Sequence, residues 1–132
     1  MCKIGDIIIV DKYKDHGKSI RSHSFVVVSD ENGEIHGLSY DFVANVLSSF
    51  KNEEQKRRKL NYPGNFPLTS EDVDTDPNNG KSGYIKVDQW YYFSKDKISY
   101  MVIGNMKSDI FNLLIDYIEE SDFEIVDIVD NL

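Results

Sequence analysis

Ser22-His23-Ser24-Phe25-Val26-Val27-Val28-Ser29 is the stretch on which the fold turns: a polar Ser-His-Ser cluster runs straight into four apolar residues. An apolar run without alternation is expected of a strand covered on both faces or curled into a small barrel. The polar cluster then belongs at the mouth of that strand, where side chains can do chemistry. Two further runs share the character, Gly5-Asp6-Ile7-Ile8-Ile9-Val10 before it and Gly83-Tyr84-Ile85-Lys86-Val87-Asp88-Gln89-Trp90 after it.

Working outward, Asp15-His16-Gly17-Lys18-Ser19 reads as a polar loop between the first two strands. Asp30-Glu31-Asn32-Gly33 reads as a tight turn, because Asn-Gly readily supplies positive φ, with the chain returning through Ile35 to Leu38. Residues 41–60 admit two readings. Val43, Val46, Leu47 and Phe50 have helical spacing, and Glu53/Arg57 and Glu54/Arg58 are i,i+4 pairs, which fits one long helix. Val43 to Phe50 also fits a strand followed by a charged helical excursion. Pro63-Gly64 and Pro67 break any regular element, and residues 70–83 read as an acidic loop containing Pro77. Tyr84 to Phe93 reads as one long strand and Ile98 to Ile103 as another, ended by Gly104. Ser108 is the expected N-cap of a helix whose stripe is Ile110, Leu113, Leu114, Tyr117 and Ile118. The class expected is mainly β with helices, α+β, in a single domain over 1–132.

The 132 residues suffice for one core. A formal net charge of −8 argues against a general nucleic-acid coat but leaves room for a local basic groove. Cys2 is the only cysteine, which excludes an intrachain disulfide and fits a reducing compartment. The apolar stretch Ile7 to Val10 has neither the length nor the flanks of a signal peptide or membrane span, so a cytoplasmic protein without membrane association is expected.

No zinc spacing, phosphate-binding glycine loop or nucleophile elbow is present, and no cofactor or metal is expected. What remains is a set of polar residues at expected strand ends: Arg21, His23, His36, Ser48, Ser49 and Gln89. A histidine near its ordinary pKa exchanges protons at cellular pH, an arginine stabilises a pentacovalent phosphorane, and a hydroxyl donates to it. These suit metal-independent RNA cleavage, in which the ribose 2′-OH attacks the neighbouring phosphate and the protein supplies no nucleophile. A lone histidine before a strand is ordinarily a satisfied boundary residue; His23 gains weight from its neighbours, His16 and His36 much less. Lys56-Arg57-Arg58-Lys59 is ordinarily a solvated helix face, yet on this acidic chain it is the best candidate for contacts to an RNA backbone. Trp90 to Phe93 are expected to fill the core on one face, and Tyr91, if exposed, can stack on a base.

The order of these segments resembles the PemK/MazF family of toxin endoribonucleases. Gly5 to Val10 matches the opening "G-D-hydrophobic" strand, Phe25 to Ser29 the strand after the first loop, Val43 to Ser49 the strand ending in a catalytic Thr/Ser, and Tyr84 to Gln89 the strand ending in acidic-Gln. The helix from Asp109 also has a counterpart, so the resemblance covers nearly the whole chain. It implies an SH3-like curled antiparallel barrel with a C-terminal helix, a homodimer, and cleavage of single-stranded RNA to a 2′,3′-cyclic phosphate and a 5′-hydroxyl without metal. It further implies an antitoxin protein that occupies the RNA groove. The family's catalytic hydroxyl falls on Ser48, with Ser49 beside it. Where relatives carry Arg-Pro, this chain has His23-Ser24, with Arg21 two positions earlier. Either His23 replaces the arginine as acid/base, or Arg21 holds the phosphate, or the chain is a non-catalytic interaction module that keeps the fold. Lys56, Arg57, Arg58, Gln89 and Tyr91 complete the expected RNA-binding set.

Overall fold

β1 (Asp6–Asp15) and β2 (Lys18–Ser29) form a long hairpin. Its turn is His16-Gly17, with φ of 50° and 81°, the doubly left-handed geometry whose twist matches the flanking strands. A second hairpin, β3 (Gly33–Ile35) and β4 (Leu38–Tyr40), turns on His36-Gly37 with φ of 52° and 79°. Two of the three histidines are thus turn residues. The tight turn expected at Asn32-Gly33 is displaced to His36-Gly37. Gly33 instead lies in β3 opposite Tyr40, where an added Cβ would stand 2.6 Å from the phenol oxygen.

The computed structural model, which describes residues 2–75 and 83–132, continues with β5 (Phe42–Ser49), α1 (Glu53–Leu60), β6 (Asn65–Leu68) and β7 (Val73–Thr75). After these come β8 (Gly83–Lys86), β9 (Gln89–Phe93), β10 (Tyr100–Met106), α2 (Ser108–Glu120) and β11 (Val126–Ile128). The class is α+β, mainly antiparallel strand with two helices among the described residues. Strand order in the main sheet is β11-β9-β5-β2-β1-β10-β7, with β8 also on β5 and β6 on β8; only β11, on β9, is parallel. The order does not close on itself. No helix among the described residues is long and apolar enough to cross a membrane.

Both faces of this sheet are covered, which is why the central strands do not alternate. Ile8, Val10, Phe25, Val27, Phe42 and Phe93 enter one core; Ile7, Val26, Ile85, Val87, Met106 and Leu114 enter the other. Val10 and Tyr13, three apart, enter the same core, which a flat strand with a side-chain period of two cannot achieve. The β1–β2 hairpin therefore coils between them.

Of the two readings of residues 41–60, strand followed by charged helix is the one observed. α1 buries no residue and is held by its ends: the Asn52 side chain accepts from the Gln55 backbone N–H at 2.8 Å, Glu53 and Glu54 open the helix, and Arg57, Arg58 and Lys59 close it. Its i,i+4 pairs do not close into ion pairs among the described residues, and His16 Nδ1 contacts Asp15 Oδ1 as a hydrogen bond.

Three further expectations need correction. The loop expected over 70–83 contains a 3-10 turn and β7, because Val73 is buried opposite Met106; residues 76–82, with Pro77, lie outside the described residues. The single strand expected from Tyr84 to Phe93 is two, β8 and β9, both pairing with β5. Between the pairs Ala44↔Tyr91 and Leu47↔Ile85 the second chain has surplus residues, which leave the ladder as the Val87-Asp88 turn. The Trp90 indole N–H donates to Val87 O at 2.9 Å and the Asn45 amide to Gln89 O at 2.8 Å across this break. In α2, Ser108 is the first helical residue and Lys107 the cap, without a side-chain capping bond. Leu114 is buried and Ile110, Phe111, Tyr117 and Ile118 pack partly buried around it, whereas Leu113 is 55% exposed.

Candidate functional site

The Ser-His-Ser cluster opens onto a groove of ≈ 480 Å³ between β2, the end of β5, the start of β8 and α1. Ser24 pairs with Leu47, so one step further along each strand His23 and Ser48 follow each other across the ladder, and both line the groove. Ser48 is in turn paired with Tyr84 on β8. Close approach holds this side together: a Cβ on Gly83 would stand 2.0 Å from the Ser48 carbonyl oxygen, so only glycine lets β8 lie against β5 there.

His23 is half-buried, with edge contacts to Tyr13 and Phe25 at 6.5 Å between centroids. Burial pulls its pKa below the ordinary histidine value, the Lys86 ammonium adds to that, and a backbone hydrogen bond at Leu47 opposes it in part. The imidazole is thereby favoured in its neutral form, ready to accept a proton. Behind it the aromatic core is tightly tied: the Tyr13 phenol is pushed up to about 12 by burial and then by Asp15. The Tyr91 phenol donates to Asp15 Oδ2 at 2.7 Å.

Of the residues expected in the site, the fold gathers His23, Ser48 and Ser49 along the groove. Arg21 is not among the lining residues. Its neighbour Ile20 packs on the core beyond the coil in the hairpin, so alternation turns Arg21 outward, exposed and opposite Lys12. Tyr91, expected as a base-stacking platform, is 2% exposed and packs edge-on against Tyr13 and Phe25, so it is core. Lys56 and Arg57 are exposed on α1 away from the lining set, with the Lys56 ammonium 6.0 Å from the Phe50 ring centroid. Arg58 and Gln89 line a second, adjoining pocket with Lys59 and Lys86.

Sequence reasoning missed Lys51, Gln55 and Tyr84, which line the groove together with Lys59. Lys59 belongs to the basic run already singled out, and helical spacing from Gln55 was the signal that these two share a face. The Gln55 side chain also accepts from the Lys51 backbone N–H, which ties the strand end to the helix. Lys86, two residues from Tyr84 on β8, shares its face, opposite the core residue Ile85, and lines the adjoining pocket. None of the described residues lining the groove is a carboxylate. Comparison with family models, with characterised proteins and with solved structures finds no match.

Proposed function

We propose that this chain is a sequence-selective endoribonuclease that cleaves single-stranded RNA without metal, as the toxin of a toxin-antitoxin pair. One observation carries the reading: on a chain of net charge −8, the groove where His23 and Ser48 meet is lined by Lys51 and Lys59 and by no carboxylate among the described residues. A polyanion is the natural occupant of such a groove. In this reaction neutral His23 takes the proton of the ribose 2′-OH, and the resulting alkoxide attacks the adjacent phosphorus. The bond to the 5′-oxygen breaks, that oxygen takes a proton from water, the hydroxide left takes back the proton held by His23, and a 2′,3′-cyclic phosphate and a 5′-hydroxyl remain. Ser48 donates to a non-bridging oxygen, and Lys51, Lys59 and Lys86 offset the phosphorane charge in the place first given to Arg21.

The SH3-like barrel belongs to the same proposal, supported by the coil of the β1–β2 hairpin and the division of β8 and β9 along β5. So does the antitoxin, for which a lysine-lined groove offers a seat to an acidic segment. Incubation of purified protein with a long single-stranded RNA in EDTA is expected to give discrete fragments ending in cyclic phosphate. Intact RNA would leave the chain a non-catalytic interaction module.

A homodimer completes the reading, since a 15.2 kDa chain presents little surface for a multi-nucleotide site and a two-fold pair extends it. Light scattering at micromolar concentration is expected to give twice the chain mass, and a monomer with full RNase activity would refute a shared groove.

A further inference from the structure

The second pocket, of ≈ 270 Å³, adjoins the groove through Lys59, which lines both. It is just below the roughly 300 Å³ at which ligand pockets begin, the scale of one nucleobase rather than of a run of nucleotides. Its wall is the turn after α1, and that turn is fixed from three sides. The Lys59 carbonyl accepts from the Tyr62 backbone N–H at 3.2 Å and from the Asn65 amide at 2.7 Å. The Gly64 N–H donates to the Tyr117 phenol at 3.0 Å, and the Val87 N–H to Gly64 O at 2.8 Å. Gly64 has φ of 91° and leans on Asp88, whose Cβ would be 2.9 Å from an added Cβ. The turn therefore holds Tyr62, which is 60% exposed, on the same pocket as Asp88.

An exposed aromatic ring beside a cation-lined groove is a stacking surface for an unpaired base. Asp88 is the one carboxylate lining this pocket among the described residues, and it shares the lining with Arg58, Lys59 and Lys86. Partial burial raises its pKa, a backbone hydrogen bond at Asp88 and then Lys86 oppose that, and the partly desolvated carboxylate has lone pairs left for further N–H donors. Guanine is the base that presents two adjacent N–H donors, N1–H and the N2 amino group, on its Watson–Crick edge. Its O6, next to N1–H and shared with the Hoogsteen edge that carries N7, forms with N7 the acceptor pair that Arg and Lys favour. A carboxylate sharing its pocket with cations matches both edges. Adenine and cytosine each bring a single exocyclic amino donor to that edge, and uracil a single imide N–H.

We propose that Tyr62, Asp88, Arg58 and Lys86 form a guanine-selective subsite for the nucleotide next to the one whose phosphate lies at His23 and Ser48. The inference rests on the endoribonuclease reading for its place in the RNA, but not for its chemistry. The test uses the full chain and two readouts. Anisotropy measures binding of 2′-O-methyl oligouridine, which cannot form the attacking alkoxide, with one guanosine, inosine or adenosine inserted. Fragment ends of a long RNA map the cut sites. Guanosine is expected to bind about tenfold more tightly than adenosine, and inosine, which lacks the N2 amino group, to fall between them. Asp88→Asn should erase that preference, and Tyr62→Ala should weaken all three oligonucleotides by about tenfold with melting unchanged. Cutting at sites without a neighbouring guanine, with the same map in Asp88→Asn, would overturn the subsite and leave the nuclease standing. Guanine-selective binding without cleavage would keep the subsite and remove the nuclease. Equal binding of the three oligonucleotides by the parent protein overturns the subsite whatever the cleavage result.

Discussion

His23→Ala is expected to slow cleavage of single-stranded RNA by about a hundredfold or more while leaving RNA affinity nearly unchanged, because a general base acts on the transition state and not on the bound ground state. The pH dependence separates this role from a structural one. His23 must be neutral to take the 2′-OH proton, and burial has moved its pKa below the ordinary value of about 6.5. The acid limb of the rate should therefore lie below that of free histidine, with activity lost as the pH falls through the depressed value. The same depression has a stability consequence of the same sign. A histidine that binds protons less readily when folded contributes stability that is present above its unfolded pKa and is lost as pH falls through its folded pKa. Circular dichroism across the same range must therefore accompany the kinetics, and the rate should fall before the fold does. Ser48→Ala should lower the rate with the profile unmoved. Should His23→Ala cut as fast as the parent while Arg21→Ala is inactive, Arg21 would be the functional arginine despite its outward position.

Leu114→Ala should destabilise the protein by about 2–5 kcal/mol, the range for truncating a buried leucine whose surroundings cannot collapse into the cavity. Leu114 is fully buried between the sheet and its own helix, in a core that includes Ile7, Val26 and Ile85. Leu113→Ala, one residue earlier on the solvent side, should stay within about 0.5 kcal/mol of the parent. Chemical denaturation of the two variants side by side measures the difference, and equal midpoints would mean that α2 docks by another face. The contrast is useful because both leucines fit the apolar stripe when it is read along the sequence.

The strand character of Ile7 to Val10 and Phe25 to Val28 and the coverage of both their faces were legible because unbroken β-branched runs have one economical fate. His23, expected at a strand mouth, instead lies inside β2 opposite Val10, because the hairpin carries the pairing on to Lys18. The basic run 56–59 was legible as a helical face because charges at i,i+4 spacing need no tertiary partner. Local pattern did not decide where the tight turns fall. Asn32-Gly33 has the stronger turn chemistry, yet His36-Gly37 takes the turn because Tyr40 packs over Gly33. Nor did local pattern reveal that Tyr84 to Phe93 breaks at Val87-Asp88, since that break is set by its register against β5, a strand roughly forty residues away in sequence. The membership of the groove was likewise a tertiary decision. Coiling of the β1–β2 hairpin turned Arg21 away and buried Tyr91, while α1 beside β2 and the end of β5 set Lys51 and Lys59 on the groove of His23, and β8 set Lys86 near it. Sequence by itself determined which segments are strands and which residues are polar at their ends, because propensity and periodicity act over a few residues. Only the tertiary structure decided which of those ends meet, because strand twist and cross-strand register depend on partners far along the chain.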